Sequence, residues 1–199
     1  MNPQDSLPPL LGPDDPPAYR VEEDTGQRPV LLVCDHASNI LPARLGDLGL
    51  EQQYFQRHIA LDIGAAGLTR RLARRLEGPA VYCGYSRLVI DCNRQPGDPT
   101  SIPPVSDGVI IPGNQDLGDP QADQRADEIF WPYHHAVGQT LSHLWRRGHP
   151  PALISIHSFT PVMNGFERPW HIGVLWNHDP RLAVPLVHRL RADPALCVG

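Results

Sequence analysis

Two histidines each follow an apolar segment of strand length, and each leads into a polar loop. His157 comes after the apolar residues 152–156, while Asp35 and His36 come after 30–34. Side chains at the carboxyl ends of strands face the crevice in which open α/β sheets bind ligands. Either histidine alone could simply form hydrogen bonds within its loop. Together, at equivalent strand ends, they favour one shared metal site, and imidazole suits zinc.

The third ligand of such a site has two candidates. A catalytic zinc ion usually has three protein ligands and one open position for water. Asn39 lies three residues after His36, whereas Asp62 lies four residues after His58 and would share one helix face with it. Because a neutral amide is a poor zinc ligand, we choose Asp62. The predicted ligands of one zinc ion are therefore His36, Asp62 and His157.

An Asn-Arg pair, Asn93 and Arg94, follows the apolar stretch 80–90. A guanidinium offers a rigid fork that matches a carboxylate, and an adjacent amide adds another donor. The pair could equally be a turn with a surface arginine. Arg87 and Arg168 could also bind a carboxylate. We expect a substrate that bears one.

Composition excludes several classes of function. The formal charge of −5 and the sequence pI near 6.0 argue against nucleic-acid binding. All 17 basic residues are arginine, so a lysine nucleophile, a Schiff base and a lysine-containing P-loop are excluded. No apolar stretch has the length of a membrane span, and the four cysteines form no CxxC pair. We expect reduced thiols in a soluble, cytoplasmic protein with no membrane partner.

The pattern of elements predicts an α/β fold. Residues 1–28 read as an irregular, proline-rich arm, and 29–199 as a single domain. Apolar periodicity and punctuation by proline and glycine predict helices over 51–76, 123–145 with a bend at Pro132, and 180–191, and strands within 80–90, up to His157 and over 172–176. A long proline- and glycine-rich loop, 95–117, is of the kind that covers sites. This alternation predicts a three-layer α/β/α sandwich with a mostly parallel or mixed sheet.

Five ordered motifs carry a family resemblance from about residue 30 to the end. They are CDHASNILP (34–42), HIALDIGA (58–65), SRLVIDCNR (86–94), IHSFTP (156–161) and RPWHIGVLWN (168–177). Together they resemble the N-formylglutamate amidohydrolase family. That family is similar in fold to zinc-dependent exopeptidases, and the segments 155–159 and 91–94 resemble the carboxypeptidase segments that supply a zinc-binding histidine and a carboxylate-binding Asn-Arg pair.

The resemblance implies hydrolysis of the amide bond of a small acidic N-acyl amino acid, such as an N-formyl amino acid. By position, His36 and His157 would hold zinc, and Asn93 and Arg94 would bind the substrate carboxylate. His171 would orient the substrate or stabilise the tetrahedral oxyanion, unless it is a packed histidine at a strand edge.

The general base is the least defined part of the resemblance. Members of the family continue to a later strand with a Glu-x-Arg segment, and no glutamate follows Glu167 in this sequence. Three expectations are open: a chain truncated at its carboxyl end, a local acid such as Asp35 or Asp62 as the base, or a catalytically silent carboxylate-binding domain. A peptidase or peptidoglycan-type amidase on the same scaffold is a further alternative.

Overall fold

Short strands and longer helices alternate along the chain, which the computed structural model describes at residues 7–22, 28–163 and 165–199. Two compact units are present, Met1–Ser158 and Phe159–Gly199. The first contains β1 (Tyr19–Glu22), β2 (Val30–Cys34), α1 (Ala65–Leu76), β3 (Ala80–Cys83), β4 (Val105–Ser106), β5 (Val109–Ile110), α2 (Asp119–Arg125), α3 (Trp131–Trp145) and β6 (Ala152–Ser155). The second contains β7 (Val162–Met163), β8 (Phe166–Glu167) and α4 (Pro180–Arg191). The prediction of one domain over 29–199 stays a prediction.

The main sheet has the strand order β1-β3-β2-β6. The central strand β2 is parallel to both of its neighbours, with Leu32 opposite Ala80 on β3 and Val33 opposite Ser155 on β6. Strand β1 is antiparallel to β3, which makes the sheet mixed. All residues of β2 are buried, as expected for a strand that is covered on both faces.

Helices cover both faces of this sheet. Leu31 and Val33 of β2 belong to the same hydrophobic cluster as Tyr133 of α3. The alternate residues of β2 face the other way, and there Leu32 clusters with Ala73 of α1. Because successive strand residues point to opposite faces, β2 packs on α3 with one face and on α1 with the other. The predicted three-layer α/β/α arrangement is therefore confirmed.

The helix predicted over 51–76 is wrong in its first half. A 3₁₀ turn occupies Gln52–Gln56, and α1 begins only at Ala65. Gly64 has a φ of +82°, a left-handed conformation that a continuing α-helix does not allow. His58 and Asp62 therefore do not share a helix face, and Asp62 lies in a loop.

One strand prediction was too long, and a second one was wrong. Strand β3 ends at Cys83, because Ser86 begins a turn in which its carbonyl oxygen accepts from the Val89 N–H at 3.0 Å. No strand forms over 172–176, where the described residues show an isolated bridge between Ile172 and Val198.

The arm predicted as irregular contains strand β1. Tyr19 and Val21 of this strand pack against the core, which the proline-rich composition did not indicate. Residues 7–18 of the arm form no helix or strand, and residues 1–6 and 23–27 lie outside the described residues.

The other helix predictions are confirmed over 180–191 and, with an interruption, over 123–145. A π-helical turn at Ala126–Phe130 separates α2 from α3, and Pro132 stands in the first turn of α3. Proline lacks an N–H, so the turn before it loses one regular helical hydrogen bond. Loop 95–117 holds the hairpin β4–β5. Among the described residues, no helix is long and apolar enough to cross a membrane.

A buried arginine, Arg125, donates hydrogen bonds both to the turn after β3 and to the loop that contains Asn114. The Arg125 guanidinium is 2% exposed and donates to the Val89 carbonyl oxygen at 2.9 Å and to Asn114 Oδ1 at 2.7 Å. The amide of Asn114 donates in turn to the Leu88 carbonyl oxygen at 2.9 Å. Burial lowers the pKa of Arg125 to about 10, which leaves it charged at neutral pH.

We expect Arg125→Met to lower the free energy of unfolding by about 2–4 kcal/mol, because buried carbonyl and amide oxygens lose a charged donor. Urea denaturation measures the change. The control is Arg71→Met at an exposed position of α1, where we expect a change within about 0.5 kcal/mol. Equal effects of the two substitutions would contradict this role for Arg125.

Candidate metal centre

Parallel pairing brings the two histidines to one edge of the sheet. Strand β2 leads into Asp35 and His36, and its neighbour β6 leads into His157. The two imidazole rings have centroids 5.1 Å apart. The loop before α1 supplies Asp62, whose backbone N–H donates to the carbonyl oxygen of His36 at 3.0 Å.

His36, Asp62 and His157 lie close enough together to hold a metal ion, because one ligand atom from each is within 4.8 Å of the others. The Asp62 carboxylate stands between the rings, with Oδ1 3.3 Å from His36 Nδ1 and Oδ2 3.0 Å from His157 Nδ1. The His36 side chain is 2% exposed and that of His157 is 33% exposed, so the cluster is open to solvent on the His157 side.

The second nitrogen of each ring is paired with a different carboxylate. His36 Nε2 lies 2.7 Å from Asp91 Oδ1, and His157 Nε2 lies 3.1 Å from Asp35 Oδ2. His157 Nε2 also lies 3.0 Å from the Ser155 hydroxyl, which donates to the same oxygen of Asp35. A carboxylate at one ring nitrogen fixes the proton there and directs the lone pair of the other nitrogen outward, an arrangement typical of histidines that bind metals. Here both Nδ1 atoms face Asp62.

One buried nitrogen atom in the cluster lacks a hydrogen-bond partner. Within the described part of the chain, Nδ1 of His36 makes no hydrogen bond although it is buried. An unsatisfied buried polar atom costs about 1–3 kcal/mol. A cation shared with Asp62 and His157 would satisfy it, so these residues fit a metal ion.

The net charge of the cluster also favours a bound cation. Arg87 donates to Asp62 Oδ1 at 3.3 Å and to Asp91 Oδ2 at 2.6 Å. With neutral imidazoles, the carboxylates of Asp35, Asp62 and Asp91 and this one guanidinium leave two net negative charges. One divalent cation would balance them.

If no cation is bound, protons on the histidines must balance this negative charge. Hydrogen bonds to Asp35 and Asp62 raise the pKa of His157 to about 9. Burial alone would raise the pKa of Asp62, but the hydrogen bond with His157 and the nearby imidazole of His36 outweigh burial and lower that pKa. His157 would therefore be protonated at neutral pH, and a metal ion that binds there must displace that proton.

Asp35 is a predicted catalytic residue, and both of its carboxylate oxygens accept hydrogen bonds. Its Oδ1 accepts from the Tyr133 hydroxyl at 2.7 Å, and its Oδ2 accepts from the Ser155 hydroxyl at 2.9 Å and faces His157. The sequence patterns predicted no role for Tyr133, Ser155 or Asp91. A signal existed for Asp91, because it ends an apolar stretch as Asp35 does, whereas none marks Tyr133 within its helix.

Asn93 and Arg94, the predicted carboxylate-binding pair, are exposed in the turn that begins at Asp91. Their backbone N–H groups donate to Asp91, at Oδ1 and at the carbonyl oxygen respectively, over 2.8 and 3.0 Å. Neither side chain makes a hydrogen bond or ion pair with any residue that the structure describes. Both are therefore available to a ligand. They lie in the turn that follows Asp91, the partner of His36 in the candidate metal-binding group His36, Asp62 and His157, which is called the metal cluster below.

The remaining sequence candidates have other contacts. Asn39 donates to the Phe55 carbonyl oxygen at 2.8 Å, and His58 lies 3.3 Å from Asp107. In the second unit, the Arg168 guanidinium lies over the Phe159 ring, 5.4 Å from its centroid. His171 accepts at Nδ1 from the Cys197 N–H at 2.9 Å, also within that unit.

Comparison with known proteins agrees with the five sequence motifs and with the fold. The family model of N-formylglutamate amidohydrolase matches residues 28–199. The chain belongs to this family. The crystal structure of gene product Atu2144 from Agrobacterium tumefaciens is similar to this member of the N-formylglutamate amidohydrolases, with a TM-score of 0.89 and 34% identity over 95% of this chain and 75% of that one. No curated protein matches the chain.

If Asp91 fixes the ring of His36, Asp91→Asn should weaken zinc binding about 10- to 100-fold, because a neutral amide is a poorer acceptor for Nε2–H. Competition with a chromophoric chelator measures the affinity. Asp123→Asn, at an exposed position of α2, is the matched control and should leave the affinity unchanged. Wild-type affinity in Asp91→Asn would contradict this role for Asp91.

Proposed function

We propose that this chain hydrolyses the amide bond of a small N-acyl amino acid that bears a carboxylate, with N-formylglutamate as the first candidate. The proposed cofactor is one zinc ion, bound by Nδ1 of His36, Nδ1 of His157 and a carboxylate oxygen of Asp62. The convergence of these atoms, with a carboxylate behind each imidazole, is the observation that carries the proposal. Two imidazoles and one carboxylate form a usual ligand set of catalytic zinc, with one position open.

A zinc ion bound there would polarise a carbonyl oxygen and lower the pKa of a water molecule to about 7. The protein residues would supply position and charge. Arg87 holds the carboxylates of Asp62 and Asp91 in place, and its side chain is 28% exposed, so it can also face a substrate. Its charge would favour an oxygen that becomes negative as the amide is attacked.

The uncommitted pair Asn93 and Arg94 is proposed to bind the substrate carboxylate. An exposed guanidinium beside an amide offers donors in the plane of a carboxylate, and binding there would orient the acyl group relative to the metal cluster. Arg168 and His171 stay predicted contributors, Arg168 to carboxylate binding and His171 to substrate orientation or oxyanion stabilisation.

Asp35 is assigned a different role from the one that the sequence suggested. Both of its oxygens accept hydrogen bonds, and one faces the imidazole of His157. We therefore propose that Asp35 orients His157 and is not the general base.

A cytoplasmic location is part of the proposal. The four cysteines are free, and Cys83 and Cys92 form no disulfide although their sulfur atoms lie 3.6 Å apart. Thiols of this kind persist in reducing compartments. This supports the cytoplasm for an enzyme that acts on small amino-acid derivatives.

The direct test is formate release from N-formyl-L-glutamate by the purified chain. We expect turnover with zinc, an at least tenfold loss of turnover after chelation (about 1.4 kcal/mol or more), and recovery when zinc is added back. Zinc binding together with glutamate binding, but without turnover, would instead support a silent carboxylate-binding domain. Release of amino acids from peptides without formate release would support a peptidase.

Arg94→Gln should raise KM for N-formyl-L-glutamate about 10- to 100-fold, because the substrate carboxylate loses a charged donor. Zinc affinity should not change, since the exposed Arg94 side chain makes no hydrogen bond or ion pair with the described residues of the cluster. The control is Arg146→Gln, an exposed position near the end of α3. An unchanged KM in Arg94→Gln would rule out this residue as the carboxylate contact.

A further inference from the structure

Tyr133 of α3 is fully buried, and its hydroxyl group contacts Asp35, the carboxylate that faces the proposed zinc ligand His157. The hydroxyl donates to Asp35 Oδ1 at 2.7 Å, while Asp35 Oδ2 faces His157 Nε2 at 3.1 Å. Tyr133 is thus hydrogen-bonded to Asp35, and Asp35 reaches the imidazole in two ways. One is this close contact, and the other is the Ser155 hydroxyl, which donates to Asp35 Oδ2 at 2.9 Å and lies 3.0 Å from His157 Nε2. The opposite nitrogen of that imidazole faces Asp62.

We propose that Tyr133 is a positioning residue for the metal site, acting on His157 through Asp35. The inference rests on the zinc site of the proposed function, and it adds a residue from the helical layer to a site built from strand ends and loops. Tyr133 does not touch the metal cluster itself, so its contribution is to the orientation of a ligand.

The geometry at Asp35 explains why this donor matters. Asp35 Oδ2 is shared between the Ser155 hydroxyl and His157, whereas the hydrogen bond that holds Oδ1 comes from Tyr133. If that donor is removed, a buried carboxylate oxygen is left unsatisfied, and the carboxylate can rotate so that Oδ1 competes for the Ser155 hydroxyl that now donates to Oδ2. Rotation takes Oδ2 away from the line to His157 Nε2, and the ring loses its fixed direction.

The helix is also built to hold Tyr133 firmly at this point. The π-helical turn Ala126–Phe130 ends two residues before Pro132 and three before Tyr133, and such turns occur frequently at functional sites. The Tyr133 ring packs in the core cluster that includes Val33 of the central strand. A fixed ring gives the hydroxyl one position, which is what a positioning role requires.

The test measures zinc affinity, by chelator competition, in four proteins: wild type, Tyr133→Phe, Asp35→Ala and the double variant. We expect Tyr133→Phe to weaken binding about three- to tenfold and Asp35→Ala about 10- to 100-fold. The double variant should bind as Asp35→Ala does, because Tyr133 acts only through Asp35. A further loss in the double variant, or no loss in Tyr133→Phe, would overturn the proposal.

The matched control is Tyr85→Phe. Tyr85 is also fully buried, in the same core cluster, and donates its hydroxyl to the Pro16 carbonyl oxygen, away from the metal cluster. A purely structural effect of losing a buried hydroxyl would weaken zinc binding equally in Tyr85→Phe and Tyr133→Phe, and that result would also overturn the proposal. We expect a loss in Tyr133→Phe alone.

If Tyr133→Phe does not fold, the double variant replaces both partners of the buried hydrogen bond and is compared with Asp35→Ala alone. Equal affinities support the proposal and unequal affinities overturn it. Because no substrate is used, wild type that binds zinc without hydrolysing N-formyl-L-glutamate would refute the proposed reaction and leave this result valid. Wild type that binds no zinc would refute both.

Discussion

The Asp62 carboxylate, held between two imidazoles, is the interaction on which the site depends. Its oxygens face Nδ1 of His36 and Nδ1 of His157, and the backbone N–H of Ser158 donates to Oδ2 at 3.1 Å. Burial of a carboxylate is unfavourable unless opposite charge or donors compensate it. The cluster gathers more negative charge than Arg87 can balance, so a divalent cation or protons on the histidines must supply the remainder.

This requirement constrains the fold. Because β2 and β6 are parallel and adjacent, with Val33 opposite Ser155, the residues that follow both strands emerge at the same edge. A shift of one residue in that register would turn the alternate side chains of β6 to the other face and separate the histidines. The cores on both faces of β2 fix the register, so packing far from the cluster determines its geometry.

The sequence predicted the parts of the site that depend on strand ends. His36 and His157 follow apolar stretches, so their proximity could be inferred from parallel pairing alone. The preference of zinc for a carboxylate over a neutral amide predicts Asp62 as the third ligand, and Asp62 lies in the cluster. The helical spacing expected between His58 and Asp62 does not exist, since the segment before Ala65 is a turn and a loop.

Other parts of the site could not be predicted because they depend on long-range packing. Tyr133 and Asp35 are 98 residues apart, and His36 and Asp91 are 55 apart, and no local pattern indicates that either pair should meet. Strand β1 was missed for a similar reason, since its pairing with β3 outweighs a composition that favours irregular structure. Local periodicity indicates elements, whereas the partners of buried polar groups follow from the packing of those elements.

The most direct measurement is anomalous diffraction at the zinc absorption edge from crystals grown with zinc. The account predicts one anomalous peak bonded to Nδ1 of His36, Nδ1 of His157 and a carboxylate oxygen of Asp62, with nitrogen to zinc distances of about 2.0–2.1 Å. The Nε2 atoms should keep their carboxylate partners. A peak bonded to Nε2, or no peak while His157 Nδ1 stays hydrogen-bonded to Asp62, would contradict it.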